Sequence, residues 1–136
     1  MKILVLNGPN LGRLGTRETD VYGMTTYAEL VAACQRVEPE ADVRQTDDEA
    51  TMIGWLHESA DSATPVVLNP GAWSHYSYAI RDAAALAPRL IEVHLSQTAA
   101  REEFRHHSVV SEIAEATITG LGVEGYLAAI RKLQDG

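Results

Sequence analysis

Short strand-like runs alternate along the chain with longer segments that repeat apolar residues at helical spacing. Most of the short runs are continuously apolar, and glycine or proline bounds several of them, which is typical of buried strands. They predict strands over residues 2–7, 42–46, 65–69, 89–96 and 116–119. The helical periods predict helices over residues 26–37, 46–60, 75–87, 100–107 and 124–134.

Two capping boxes support the first two helices. In a capping box, a Ser or Thr side chain and a Glu three residues later satisfy each other's backbone N–H groups at a helix start. Thr26-x-x-Glu29 precedes the first helical period and Thr46-x-x-Glu49 precedes the second. Pro39 ends the first of these helices.

The alternation of strands and helices predicts the fold class. Parallel strands need long crossover connections, and helices of this length supply them on both faces of a sheet. Five strands therefore predict an α/β fold of the flavodoxin-like, doubly wound type, with a five-stranded parallel sheet and helices on both faces. The chain shows no internal repeat or linker, so residues 1–136 are predicted to form one domain.

One long segment fits neither pattern. Residues 7–23, NGPNLGRLGTRETDVYG, follow the first strand and contain four glycines, one proline and two arginines. The segment shows no helical period and no strand alternation. A long, irregular and polar connection of this kind is more often functional than structural.

Composition narrows the classes of partner. The 136 residues are 46% hydrophobic and 22% charged, which is typical of a globular protein. A net charge of −8 argues against nucleic acid or an anionic membrane as the main partner. No apolar run approaches the ~20 residues of a membrane span, and Met1-Lys2 leads directly into a strand, so we expect a cytoplasmic protein without a signal peptide. Cys34, the only cysteine, is predicted to be a core residue.

Polar side chains collect after three of the predicted strands. In doubly wound folds, ligands bind outside the carboxyl ends of the strands. The residues at those ends that suit acid–base chemistry or anion binding are Asn10, Arg13, Arg17 and Tyr22 after the first strand, Asn69 and His75 after the third, and Glu92, His94, Ser96, Arg101 and Arg105 in or after the fourth. The sequence therefore predicts a site at this edge of the sheet.

Common nucleotide and metal motifs are absent from the sequence. Gly8, Gly12 and Gly15 have the spacing GxxxGxxG rather than GxGxxG, and no GxxxxGK[ST] occurs. Residues 47–49 are acidic, which favours the charged first turn of a helix over a metal site. What remains is proton transfer by His and Tyr assisted by Arg. Taken singly, these residues could equally pack a loop, pair with a neighbouring carboxylate or lie in the core.

Several longer stretches together carry a resemblance to a known family. They are NGPNLGRLGTRE with Tyr22-Gly23 after it, RQTDDE at 44–49, LNPGAWSHYSYAIRDA at 68–83, IEVHLS at 91–96, AREEFRHHS at 100–108 and GLGVEGY at 120–126. In this order they resemble the type II 3-dehydroquinate dehydratases over essentially the whole chain. The resemblance implies a hydro-lyase of the shikimate pathway of aromatic amino acid biosynthesis, or of quinate metabolism.

The same resemblance implies a reaction and an assembly. 3-Dehydroquinate would lose water by anti elimination through an enolate and give 3-dehydroshikimate, without metal or cofactor. Tyr22 would be the base, Arg17 would favour its ionised form and stabilise the transition state, and His94 would be the acid. Asn10 would hold a water that stabilises the enolate. The chain would assemble as a homododecamer, a tetramer of trimers.

The resemblance also assigns binding and supporting residues. Substrate contacts are implied for Asn69, His75 and Arg105 at the ring hydroxyls, for Ser96 and the Leu95 amide at the carboxylate, and for Asp82 in the site of a neighbouring subunit. Supporting roles are implied for Glu92, which would orient His94, and for Arg101, which would tune the loop and the tyrosine. Residues of about 8–24 would form a lid carrying Arg17 and Tyr22 over the substrate.

The sequence departs from the family pattern at a few positions. Ser96-Gln97-Thr98-Ala99 stands where Ser-Asn-x-His is common, Thr19 replaces a common proline, and the first helix is short near Glu38-Pro39. An alternative hypothesis is therefore a diverged, non-catalytic paralogue that binds a related cyclic hydroxy acid. A flavin- or nucleotide-binding module on the same fold is a third.

Overall fold

The computed structural model describes residues 1–16 and 18–136. The sheet strands are β1 (Ile3–Asn7), β2 (Ala41–Gln45), β3 (Val66–Asn69), β4 (Leu90–His94) and β5 (Ala116–Thr119). The α-helices are α1 (Thr19–Tyr22), α2 (Tyr27–Val37), α3 (Glu49–Ser62), α4 (Tyr78–Ala84) and α5 (Val123–Gln134). Short 3-10 turns cover Leu11–Arg13, Gly71–His75, Thr98–Ala100 and Glu103–Arg105.

The five strands form one parallel sheet in the order β2-β1-β3-β4-β5. The predicted flavodoxin-like class is therefore confirmed. β1 lies between β2 and β3: β2 is added on one side of β1, and β3 and the later strands are added on the other side. In such a fold the crevice for ligands lies at the carboxyl ends of the strands where the side of addition changes.

Helices bury both faces of the sheet. Ile3 and Val5 of β1 face a core that includes residues of α2 and α5, whereas Leu4 and Leu6 face a core with residues of α3 and α4. This division follows from the two-residue period of a strand, and it explains why β1 is continuously apolar. Cys34 lies in the first core as predicted, and burial raises the pKa of its thiol to about 11.

The first capping box is confirmed and the second is wrong. Thr26 Oγ1 accepts a hydrogen bond from the Glu29 N–H, and the Glu29 carboxylate accepts one from the Thr26 N–H. Asp48 instead caps α3, because its carboxylate accepts from the Thr51 N–H at 3.1 Å. Thr46 still follows the path of β2, with its N–H donating to the Asn7 carbonyl at 3.0 Å.

Two other predicted helices differ from the structure. The helix expected over 75–87 begins only at Tyr78, because Ser77 Oγ caps it by accepting from the Ile80 N–H, and the residues before it form a 3-10 turn. The helix expected over 100–107 is replaced by two 3-10 turns, since the backbone at Arg101 between them is extended. Within the described ranges, every helix is too short or too polar to cross a bilayer.

Candidate active site

A cavity opens at the carboxyl ends of β1, β3 and β4. Its wall is made by three loops and by the short helix α1 that follows the first strand. The lining residues are Pro9, Asn10, Leu11, Tyr22, Asn69, Gly71, Ala72, His75, His94, Leu95, Thr98 and Arg105. The fold therefore brings together side chains that are more than eighty residues apart in the sequence.

The cavity gathers most of the residues singled out in the sequence. Asn10, Tyr22, Asn69, His75, His94, Leu95 and Arg105 all line it. Ser96 is buried directly beyond Leu95, Glu92 is buried behind His94, and Arg101 contacts both Ser96 and Tyr22. Asp82 does not line the cavity; its carboxylate is exposed and pairs with Arg81 at 3.1 Å. Arg17 lies outside the described residues.

The His94 imidazole and the Glu92 carboxylate form a buried hydrogen-bonded pair at the end of β4. Glu92 has no exposed surface, and its Oε2 lies 2.5 Å from His94 Nε2. Ser108 and Ser111 donate to the two carboxylate oxygens at 2.8 and 2.6 Å. Burial raises the pKa of Glu92, but the hydrogen bonds from His94, Ser111 and Ser108 outweigh it and hold the pKa below its ordinary value.

The pairing determines which nitrogen of His94 can serve a ligand. A carboxylate that is ionised only accepts hydrogen bonds, so His94 Nε2 carries a proton. Glu92 thus fixes the ring orientation and occupies Nε2, so Nδ1 is the nitrogen that remains for a ligand. When Nδ1 is also protonated, the adjacent carboxylate stabilises the resulting imidazolium.

A guanidinium lies against the candidate tyrosine. The Cζ of Arg101 is 5.0 Å from the centroid of the Tyr22 ring, within the range of a cation–π contact. Arg101 Nη1 also donates to Ser96 Oγ at 3.2 Å, and the Arg101 carbonyl is 3.0 Å from His106 Nε2. Arg101 therefore links the short helix after β1 with the loop after β4.

His75 is held as a neutral ring at the side of the cavity. Its Nδ1 lies 2.9 Å from the His107 carbonyl, which only accepts, so Nδ1 carries the proton. Burial, chiefly, lowers the pKa of His75 below its ordinary value, which keeps Nε2 as an acceptor near neutral pH. Phe104 packs edge-on against the ring at 5.6 Å and also lies under the Arg105 guanidinium.

Asn10 adopts a left-handed backbone conformation that a side chain from another loop supports. Its φ is 71°, and its N–H donates to Asp47 Oδ1 at 2.8 Å. Gln45 Nε2 donates to the same oxygen and to the Gly8 carbonyl. No sequence pattern indicates this role of Asp47 and Gln45, because contacts between loops leave no local signal in the sequence.

Of the departures from the family pattern, the one in the loop after β4 reaches the cavity. Thr98 lines it, and Gln97 Oε1 accepts from Thr119 Oγ1 at 2.8 Å, which ties the loop after β4 to the end of β5. Thr19, in place of the common proline, is the first residue of α1. In the part of the chain that the structure describes, no cluster of His, Cys, Asp or Glu could hold a metal ion.

Comparison with known proteins identifies relatives of the whole chain. The model of the family described as dehydroquinase class II matches residues 1–134. A 3-dehydroquinate dehydratase of Salinispora tropica is 61% identical over 98% of this chain and 96% of its own length. One of Mycobacterium tuberculosis is 55% identical over 96% and 92%.

Solved structures give the same result. The type II dehydroquinase of Propionibacterium acnes is 54% identical and superposes with a TM-score of 0.97, over 99% of this chain and 97% of that one. A type II dehydroquinase from Butyrivibrio crossotus is 42% identical, with a TM-score of 0.94 over 98% and 97%. The chain belongs to the class II dehydroquinase family.

Proposed function

We propose that this protein is a 3-dehydroquinate dehydratase, which removes water from 3-dehydroquinate by anti elimination and gives 3-dehydroshikimate in the shikimate pathway. The observation that carries the proposal is the cavity that Tyr22 and His94 share, with His94 paired to the buried carboxylate of Glu92. The names of relatives that are 55–61% identical support the choice of substrate.

Tyr22 is the base in this proposal. Its phenolate removes a proton alpha to the ketone, and the C–H electron pair moves onto the carbonyl to form an enolate. Phenol is a weak acid, so a base of this kind needs a nearby positive charge. The Arg101 guanidinium, 5.0 Å from the ring centroid, supplies one. We propose Arg17 as a second cation that favours the ionised Tyr22 and stabilises the transition state.

Asn10 stabilises the enolate through a water molecule in the proposed mechanism. Groups that meet developing charge contribute most when they are oriented before the reaction. The backbone of Asn10 is fixed by its hydrogen bond to Asp47, so its side chain starts from a rigid turn. The amide donates to the water, and the water donates to the enolate oxygen.

His94 completes the elimination as the acid. The enolate collapses to form the new carbon–carbon double bond, and the hydroxyl leaves with a proton from His94 as water. Glu92 stabilises the imidazolium that this step consumes. One C–H and one C–O bond break, one double bond forms, and Tyr22 and His94 exchange protons with solvent before the next turnover. No oxidation or reduction takes place, so the proposal includes no cofactor.

The remaining side chains suit a small, anionic, hydroxylated ring. We assign Asn69, His75 and Arg105 to the ring hydroxyls, and Ser96 with the Leu95 amide to the carboxylate. Convergent donors and acceptors of this kind fix the orientation of a polar ligand in a cavity. Residues 8–24 would act as a lid that excludes water from the enolate.

The exposed position of Asp82 fits a site completed by a second copy. Its carboxylate lies outside the cavity of its own chain, where it pairs with Arg81. We propose that it reaches the cavity of a neighbouring subunit, in a homododecamer built as a tetramer of trimers. In an assembly with closed symmetry every copy makes the same contacts, so one such contact would complete every cavity.

Ultraviolet absorbance tests the proposed reaction, since the conjugated enone carboxylate of the product absorbs and the substrate does not. We expect the purified protein to produce this absorbance from 3-dehydroquinate. When the substrate is labelled with deuterium at one of its two alpha positions, we expect the protein to remove only the deuterium that lies anti to the leaving hydroxyl. Loss of the syn deuterium would contradict the stereochemistry. Binding of 3-dehydroquinate in calorimetry without turnover would identify the chain as a non-catalytic paralogue.

A further inference from the structure

A line of buried polar side chains runs behind the cavity and ends at one of its walls. Asn7 and Asn69 are the last residues of β1 and β3 and lie opposite each other in the sheet. The hydroxyl of Tyr126, from α5, lies between them, and all three residues are at most 3% exposed. Only Asn69 of the three lines the cavity.

Four hydrogen bonds connect this line from one backbone group to another. The Gly71 N–H donates to Asn69 Oδ1 at 3.1 Å, and Asn69 Nδ2 donates to the Tyr126 hydroxyl at 2.8 Å. The Tyr126 hydroxyl donates to Asn7 Oδ1 at 2.6 Å, and Asn7 Nδ2 donates to the Arg44 carbonyl at 3.1 Å. We call these five residues the relay.

The two ends of the relay fix the direction of every bond in it. A backbone N–H only donates, so it requires the oxygen of Asn69 on its side, and the amide of Asn69 therefore faces Tyr126. A backbone carbonyl only accepts, so it requires the amide of Asn7. The single proton of Tyr126 then points at Asn7. Burial raises the pKa of Tyr126, so its hydroxyl keeps this proton.

The direction of the relay sets what Asn69 offers to a ligand. A side-chain amide carries two N–H groups and two acceptor lone pairs, and the relay uses one of each on Asn69. One N–H and one lone pair remain, in a fixed arrangement. Reversing the Asn69 amide would set its NH₂ against the Gly71 N–H, and buried donors in contact are costly.

We infer that Tyr126 is a positioning residue of the active site, which locks the Asn69 amide in the single orientation that receives a hydroxyl of the substrate ring. The inference rests on the proposed function for the identity of that ring. Tyr126 itself touches no substrate, because the strand ends separate it from the cavity. Its effect is therefore on binding and is exerted through Asn69.

Steady-state kinetics of Tyr126→Phe with 3-dehydroquinate tests the inference. Loss of the hydroxyl leaves Asn69 held at one end only, so we expect KM to rise about 3- to 10-fold. The contact exists both before and in the transition state, so kcat should stay within about twofold. Asn7→Leu removes the other partner of the Tyr126 proton and should raise KM in the same way.

Tyr27→Phe is the matched control. Tyr27 also packs against the core of α2 and α5, but its hydroxyl makes no hydrogen bond with any residue in the ranges 1–16 and 18–136. Its KM should equal that of the wild type. If Tyr126→Phe lowers the melting temperature but leaves KM at the wild-type value, the relay only stabilises the fold and the inference is wrong.

Two further measurements separate this inference from the proposed function. If the wild type binds 3-dehydroquinate without turnover, the proposed function fails, and calorimetry then compares affinities. Weaker binding by Tyr126→Phe supports the relay, and equal binding overturns it. If neither variant folds, a crystal structure of the wild type with a non-reactive cyclic hydroxy acid decides. Contact of Asn69 with both the ligand and Tyr126 supports the inference, and loss of either contact overturns it.

Discussion

His94 depends on Glu92 for the orientation of its ring. A buried carboxylate without partners would be protonated or expelled, so the hydroxyls of Ser108 and Ser111 are as necessary as the carboxylate itself. The three hydrogen bonds to Glu92 come from β4 and from the loop that leads to β5. The acid of the proposed mechanism is therefore supported by Glu92, Ser108 and Ser111, which do not line the cavity.

The lowered pKa of Glu92 predicts how stability depends on pH. The ordinary value is 4.5 and the folded value lies below it, so between the two the unfolded chain binds more protons and stability rises with pH. The contribution is complete above about pH 5 and is lost as pH falls through the folded pKa. We expect the difference in melting temperature between the wild type and Glu92→Gln to be larger at about pH 6 than at about pH 3.

The control for this prediction is Glu124→Gln. Glu124 is exposed in the first turn of α5, and its side chain makes no hydrogen bond or ion pair with any of residues 1–16 and 18–136. Its melting profile should run parallel to that of the wild type. A constant difference between wild type and Glu92→Gln at every pH would show that Glu92 is not ionised in the folded protein.

For single residues, the sequence predicted which side chains lie together at the cavity, but not the hydrogen bonds that orient them. The rule that ligands bind at strand ends brought together Tyr22, Asn69 and His94, because it needs only the order of strands along the chain. The hydrogen bonds of Asp47 to Asn10 and of Tyr126 to Asn69 join distant segments. No periodicity or short motif encodes such contacts.

Two of the loops that line the cavity, those after β1 and β3, are in direct backbone contact. The loops after β1 and β3 touch at Gly8, where a Cβ atom would lie 2.7 Å from the Pro70 carbonyl oxygen. The Gly8 N–H also donates to the Asn69 carbonyl at 2.8 Å. Backbone cannot give way as a flexible side chain can, so this position requires glycine.

Gly8→Ala should therefore separate the two loops. Overpacking of this kind costs about 1–3 kcal/mol of unfolding free energy, and we expect kcat/KM to fall with it because Asn10 and Asn69 move apart. Urea denaturation and the absorbance assay measure the two effects. Unchanged stability and activity would contradict the close approach.

Gly54→Ala is the matched control with the opposite sign. Gly54 lies in the exposed middle of α3, where a Cβ atom would meet nothing within 4 Å. Alanine loses less conformational freedom than glycine in a helix, so this change should stabilise by about 0.5–1 kcal/mol. Activity should be unchanged, since α3 does not line the cavity.

Element types were easier to predict than element ends. The three central strands β1, β3 and β4 follow from their continuous apolar runs, which reflect burial on both faces of the sheet. The start of α3 was misplaced because Thr46 and Asp48 are both good caps, and only the extension of β2 past Gln45 decides between them. The stretch at 100–107 has helical composition, but the extended backbone at Arg101 separates it into two 3-10 turns.

For the whole molecule, the pattern of elements predicts the class of sheet. It does not indicate whether a single chain supplies every residue of the active site. The alternation of elements implies a parallel sheet with helices on both faces, and the structure confirms it. Asp82 is different, because the chain itself keeps it at the surface beside Arg81. A role in the cavity then depends on a neighbouring copy, which only the family resemblance suggested.

Subunit mixing tests this shared site. Asp82→Asn alone should lower kcat/KM about 10- to 100-fold, as expected for a lost hydrogen bond to a charged group. When it is unfolded and refolded together with Tyr22→Phe, some sites combine Tyr22 of one chain with Asp82 of another. Activity should then exceed the sum of the two parents, whereas a site confined to one chain would give no such gain.

The central claim is that Tyr22 removes the alpha proton of 3-dehydroquinate, and single-turnover absorbance of Tyr22→Phe tests it most directly. Tyr27→Phe serves as the control, since it removes the phenol hydroxyl of a residue that does not line the cavity. We predict that Tyr22→Phe lowers the rate of product formation by about 10²- to 10⁴-fold while still binding the substrate, and that Tyr27→Phe matches the wild type. Product formation by Tyr22→Phe at the wild-type rate would contradict the account.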